Sequence, residues 1–311
     1  MISKILIAYN FFFKGSYEFN VPKKKDILIF DSVGSEYIYE YLKKYDFSVM
    51  ETRGGVINIY VLIMSLLKIK IFLSNPIKSY LFSYIKCTSP KIVITFIDNS
   101  YIFYEISSYF PNIKTIFIQN GIRDEVFFHM LPTKKTFKVD HMLVINDAFG
   151  KLYKKKIAGD TETIGFFKSN LYEIKKKENN NKYVLFISQY INKIDSKIKS
   201  LYLKDRKPFE WCETLQNEIK LIKLVDLWCK QNLIKLIVAG REGEFIDEEY
   251  DYYKKHLKLS DWDFINTNEK NSYDQVDQAE VVITLDSTLG YESLARGNKT
   301  LFFATRKYEE Q

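Results

Sequence analysis

Residues 281–297 read VVITLDSTLGYESLARG. The apolar run VVITL is short, continuous and closed by polar residues, the pattern of a strand buried on both faces. It passes through Asp286-Ser287-Thr288 into residues 289–296, whose spacing is helical and which stop at Gly297. A helix entered this way turns unpaired N–H groups and a partial positive charge towards the loop. Small hydroxyl residues there let an anion approach, and a nucleotide phosphate would suit the site. The other reading is structural: Ser287 or Thr288 caps the helix and Gly290 lets it pack close to the sheet.

The same grammar recurs outward from this stretch. Ahead of it lie strands at 183–188 (YVLFIS), 235–239 (KLIVA) and 263–265, and strand 300–303 follows. Helical spacing appears at 209–229, where Trp211, Leu215, Ile219, Ile222, Val225 and Trp228 share a face, and again at 248–256. Earlier in the chain, strands are expected at 25–31 (KDILIFD), 91–96 (KIVITF), 114–118 (KTIFI) and 141–145 (HMLVI), with helices at 35–45, 103–110 and 147–156. Residues 2–8 read as a first strand. Residues 56–73 read as a buried helix running into a strand, or as a helix whose apolar face, flanked by Lys68, Lys70 and Lys78, rests on an anionic membrane surface. The polar segment 175–182 (KKKENNNK) has no apolar periodicity and reads as a linker. Strand–helix alternation on both sides of it predicts an α/β protein of two doubly wound, Rossmann-like domains, residues 1–174 and 183–311.

Ligands of such sheets bind beyond the carboxyl ends of the strands, so the strand ends supply the candidate residues. Asp98 and Asn99 follow KIVITF. Asp98 is placed to act as a base or a nucleophile, or to cap the next helix. Gln119, Asn120, Gly121 and Arg123 follow KTIFI, where Asn-Gly is also an ordinary turn signal. Gln189 follows YVLFIS. Arg241, between Gly240 and Gly243, could pair with a diphosphate or carboxylate in bidentate fashion, or be a surface turn residue.

Composition narrows the function classes. Among 311 residues, 46% are hydrophobic and 27% charged, ordinary for a globular chain and against disorder or a coiled coil. The net charge of +7 comes from lysines spread along the chain, not from the concentrated stripe of a nucleic-acid binder. Cys87, Cys212 and Cys229 form no CxxC pair, which reads as cytoplasmic, and three histidines make a multi-histidine metal site improbable. No GxSxG, P-loop, HExxH or GxGxxG motif is present.

With TFIDNS (95–100), IFIQNGIR (116–123), VLFISQ (184–189), LIVAGR (236–241) and VVITLDSTLGYESLARG in this order, the chain resembles bacterial capsule and lipopolysaccharide biosynthesis glycosyltransferases of the GT-B fold. It is distantly similar to CMP-octulosonic acid transferases and CDP-glycerol glycerophosphotransferases. The resemblance implies two domains facing a cleft. The second would bind a nucleotide-sugar donor through Gln189, Arg241, Asp286, Ser287, Thr288, Gly290 and Glu292, the last on a ribose hydroxyl. The first would hold an oligosaccharide or lipid-linked acceptor near Asp98, Asn99, Asn120, Gly121 and Arg123. Relatives tend to carry histidine at the position of Asn120, and an amide is no base, so the base role falls to Asp98 or is absent. A CMP-sugar is the favoured donor, with UDP, GDP and CDP donors open. Arg241 and the helix N-terminus would replace a metal, so no cofactor is expected. The chain ends soon after its last strand, which implies a shortened C-terminal part. The resemblance places the protein in the cytoplasm, peripheral on the inner membrane. A nucleotide-sugar epimerase and a non-catalytic assembly subunit are the rival readings.

Overall fold

The computed structural model describes residues 2–67, 69–123, 125–175, 182–190, 211–241, 245–257, 261–266 and 271–303. It divides into two compact units, Met1–Asn170 and Leu171–Gln311.

The first unit contains β1 (Ser16–Glu18), β2 (Ile27–Phe30), β3 (Phe47–Met50), β4 (Val56–Asn58), β5 (Ile92–Thr95), β6 (Lys114–Ile118), β7 (Lys138–Val144) and β8 (Ala158–Thr163). Six of them form a parallel sheet in the order β3-β2-β5-β6-β7-β8, while β1 pairs with β4 alone. The run ILIF of β2 shows why the strands read as continuous apolar stretches. Leu28 and Phe30 enter one core with Val93, Phe117, Met142 and Val144. Ile27 and Ile29 enter another, on the opposite face, with Ile118. Successive side chains alternate faces, and both faces are covered. The strand order reverses between β2 and β5, which is the switch point of this sheet.

The second unit holds β9 (Tyr183–Ile187), β10 (Lys235–Ala239), β11 (Trp262–Ile265), β12 (Val281–Thr284) and β13 (Thr300–Phe302), all parallel, in the order β11-β10-β9-β12-β13. On β9, Val184 and Phe186 face a core with Ile222, Leu236 and Val238. Tyr183, Leu185 and Ile187 face another with Val276 and Val282. The switch point lies between β9 and β12. Gly290, on helix Thr288–Ala295, has a clear packing role: a Cβ there would lie 2.5 Å from Thr284 Cγ2 on β12.

Three expectations are corrected. Residues 2–8 belong to a helix, Ile2–Phe13, not a strand. Phe11 and Phe12 are buried and meet the Tyr80 ring edge-on at 5.7 and 5.8 Å, and Phe12 also meets Phe72. A short apolar run does not by itself distinguish the two states. Within 56–73 the order is strand first, β4, then helices Ile59–Leu66 and Ile69–Ser74. Asn58 makes the change: its side chain accepts the Val61 N–H at 3.1 Å and caps the helix. Residues 103–110 form two short helices, Tyr101–Tyr104 and Ile106–Tyr109, which part at Glu105. Its carboxylate is held by Lys78 and Lys134. Most of the expected linker, residues 242–244 of the glycine loop and the chain end beyond Phe303 lie outside the described residues.

Candidate functional site

In the first unit the polar strand ends converge on Asp98, which is fully buried three residues beyond Thr95, the end of β5. It does not cap the next helix, since Ser100 does so by accepting the Phe103 N–H. Arg123 donates through Nε to Oδ2 at 2.8 Å and through Nη2 to Oδ1. The Asn120 N–H reaches Oδ1 at 3.3 Å, and the Tyr153 hydroxyl donates to Oδ2. The Tyr104 hydroxyl donates to the Asp98 carbonyl. A carboxylate has about four acceptor positions, and all are taken here. In this arrangement the carboxylate ties together the strand-end loop after β6 and Tyr153. It orients Arg123 and the Asn120 turn.

The electrostatics follow from that geometry. Burial opposes the charge on Arg123, but the Asp98 carboxylate outweighs it and raises the guanidinium pKa further. Burial first, and then the Asp98 charge, push both Tyr153 and Tyr104 upward, so both remain hydroxyl donors. Arg123 also sits over the Phe127 ring, 5.7 Å from its centroid, and donates to the Asn120 side chain. Gln119 is buried and spans two strand ends, with Nε2 on the Gly121 carbonyl at 2.9 Å and Oε1 accepting the Ile145 N–H at 3.1 Å. Asn99 lies exposed on the turn.

Sequence reasoning missed a second polar cluster beside the switch point. Asp31, just past β2, is buried with a φ of 82°. It accepts the Val33 N–H at 3.0 Å, the Thr52 hydroxyl at 2.5 Å, and Arg53 Nε at 3.2 and 3.1 Å on its two oxygens. The available signal was Asp31 closing an apolar run.

In the second unit, three strand ends lie side by side on one edge of the sheet. Register pairs Ala239 with Ile187 and Ile283 with Phe186, so Gly240-Arg241, Ser188-Gln189 and Leu285-Asp286-Ser287 emerge together. Beneath them is a buried network. Glu218 accepts the Gln189 N–H at 3.2 Å and the Tyr253 hydroxyl, and that hydroxyl lies 2.8 Å from Ser188 Oγ. Glu249 accepts the Arg241 N–H at 2.9 Å. Arg241 Nη1 reaches the Tyr190 carbonyl at 3.4 Å, while the rest of its side chain is exposed. Burial, helped by the nearby Glu218 charge, pushes Glu249 up to about 7 although Ser188 and the Arg241 N–H work against it. None of Glu218, Glu249 or Tyr253 was singled out from sequence, because each stands inside a helix where acids and aromatics are unremarkable.

Ser287 occupies the N-cap position of helix Thr288–Ala295, yet its side chain makes no capping bond. Asp286, Ser287 and Thr288 are half-buried at the edge. The other two residues expected there have structural contacts. Gly290 packs against the sheet, and Glu292 is buried, its Oε2 accepting from the Tyr273 hydroxyl at 3.1 Å. At the far end of the same helix Arg296 donates to Asp277 at 2.8 Å and to the carbonyls of Tyr172 and Glu173 at 3.0 and 2.9 Å. Burial opposes the charge on Asp277, but Arg296 holds its pKa below the ordinary value. Among the described residues no group of three or more His, Cys, Asp or Glu is placed to hold a metal ion.

Two units, each built on a doubly wound parallel sheet, give the chain a Rossmann-like α/β fold that solved structures share. Staphylococcus aureus MnaA with UDP is 10% identical with a TM-score of 0.52, the match covering 89% of this chain and 79% of that one. A UDP-N-acetylglucosamine 2-epimerase is 12% identical with a TM-score of 0.51, over 92% of this chain and 80% of that one. The wall teichoic acid polymerase TagF is 11% identical with a TM-score of 0.47, over 93% and 74%. No curated protein matches by sequence. Residues 116–310, more than half of the chain, match the family described as "putative O-antigen biosynthesis protein". The chain belongs to that family, and so to surface-carbohydrate biosynthesis.

Proposed function

We propose that the chain transfers a sugar from a nucleotide-activated donor to a growing surface polysaccharide or glycolipid. The observation that carries this reading is the shared edge of the second sheet, where Gln189 and Asp286–Thr288 flank the switch point, Arg241 follows the next strand, and an N-cap hydroxyl is not spent on its helix. Exposed guanidinium and helix N–H groups suit a diphosphate or monophosphate leaving group. They would stabilise its growing charge without a metal. In the first unit Arg123 and Asn120, fixed by Asp98, would hold the acceptor. A CMP-sugar is the first donor to test, ahead of UDP-, GDP- and CDP-sugars.

The acceptor would be lipid-linked, at the cytoplasmic face of the inner membrane. Supporting this, Tyr9, Phe13, Phe19, Leu67, Ile69 and Leu73 are all exposed, with exposed Lys14, Lys23 and Lys24 beside them in sequence. These segments adjoin: β1 pairs with β4, and Asn58 Nδ2 donates to the Asn20 carbonyl at 2.7 Å. Apolar side chains rimmed by lysine suit an anionic bilayer surface. Among the described residues no helix is long and apolar enough to cross a membrane.

The test is product analysis with each nucleotide sugar, a glycolipid fraction as acceptor, and chelator present. Sugar incorporation with release of the nucleotide supports the reading. Conversion of the donor sugar with no acceptor would mark an epimerase and contradict it.

A further inference from the structure

Helix Ile246–His256 and the edge strand β11 border an open hollow of about 440 Å³, within the size range of small-molecule sites. Its walls carry three aromatic rings, Tyr250, Trp262 and Phe264, and three polar groups, Lys254, Asp263 and Asn266. The ring centroids lie 5.4 to 6.5 Å apart, with interplanar angles of 38° for Tyr250–Trp262, 62° for Tyr250–Phe264 and 90° for Trp262–Phe264. Trp262 and Phe264 pack against the buried core of the unit yet stay partly exposed. The polar groups offer both signs: Lys254 Nζ lies 5.5 Å from the Tyr250 centroid, and Asp263 pairs with Lys235 at 2.7 Å while half-exposed.

We propose that this cavity binds a neutral pyranose unit of a glycan. A pyranose ring carries C–H groups on its faces and hydroxyls around its rim. The C–H groups, weakly positive, favour the negative face of an aromatic ring, and the hydroxyls both donate to a carboxylate or amide and accept from an ammonium. A flat nucleobase would favour two near-parallel rings as a sandwich, and the three rings here stand in different planes. Charges of both signs, with no cationic cluster, also argue against a phosphate. The site goes beyond the proposed transferase reading and touches its loop at one point, since Phe264 fills the space where a Cβ on Gly240 would stand.

The test is saturation-transfer NMR on the full chain with maltose and N,N′-diacetylchitobiose as probes, at millimolar concentration. Tyr250→Ala and Asp263→Ala serve as variants because neither side chain belongs to the buried core. The site predicts saturation of the ring C–H protons of at least one probe, and at least a fivefold weaker apparent affinity in both variants at an unchanged melting temperature. No saturation from either probe, equal signals in the variants, or displacement by cytidine or uridine would overturn the proposal. Arg241→Ala should leave the sugar signal intact, and its loss would put the sugar at the proposed donor residues instead. Sugar transfer is not read here, so this result stands apart from the fate of the transferase reading.

Discussion

Asp98 receives donors from Arg123, Asn120 and Tyr153 on its two oxygens while wholly buried. Removing one partner of a buried pair leaves the other charge uncompensated, at a cost of about 3 kcal/mol or more. Asp98→Asn should therefore lower stability in urea by about that much, and Tyr153→Phe by about 2 kcal/mol for a hydrogen bond to a charged group. An unchanged midpoint in Asp98→Asn would contradict a stabilising Asp98–Arg123 pair. Glu249 gives a pH signature. Its pKa is raised from an ordinary 4.5 to about 7, so between those values the folded state holds more protons than the unfolded one, and stability falls as pH rises. Glu249→Gln should flatten the decline in melting temperature between pH 5 and 7.5 relative to the native chain, and a parallel decline would show that Glu249 ionises normally. Asp98, Asn120 and Arg123 were legible because polar residues directly after apolar strands stand out. Tyr104 and Tyr153 were not, because a tyrosine on an apolar helical face reads as core, and only the fold brings Tyr153 to Asp98.

The segment 281–297 shows how an element carries two messages at once. Its glycine serves packing: with a Cβ, Gly290 would press on Thr284 Cγ2. Gly290→Ala should cost about 1–3 kcal/mol through overpacking. Thr284→Ser removes the offending methyl and keeps the hydroxyl that accepts the Ser287 N–H, so the double variant should regain part of the loss in urea denaturation. Equal cost in single and double variants would mean the strain lies elsewhere. The strands of both main sheets were readable where they are apolar on both faces. β8 was not, because its sequence, AGDTET, is polar and it lies at the sheet edge. The first helix was misread because its outward side is apolar too: Tyr9 and Phe13 are exposed and stack at 5.2 Å.

That exposed surface belongs to the scale of the whole molecule. If these exposed apolar side chains and the lysines near them in sequence meet a bilayer, the chain should co-sediment with vesicles containing anionic phospholipid and much less with neutral ones, and high salt should weaken the association. A chain carrying Phe13→Ser, Phe19→Ser and Leu67→Ser should stay in solution, and equal sedimentation would contradict a membrane role for this face. The alternation of strand and helix made both Rossmann-like units legible, and the family match places the chain in surface-carbohydrate biosynthesis. The sugar and acceptor are not legible, because their recognition rests on side-chain directions that spacing does not carry. A donor site at the shared edge of the second sheet is tested most directly by calorimetry of the full chain with CMP, CDP, UDP, GDP and ADP, with and without magnesium. Such a site predicts binding of one nucleotide, unaffected by magnesium and weakened at least tenfold, about 1.4 kcal/mol, in Arg241→Ala. No binding by any nucleotide, or equal binding in the variant, would contradict it.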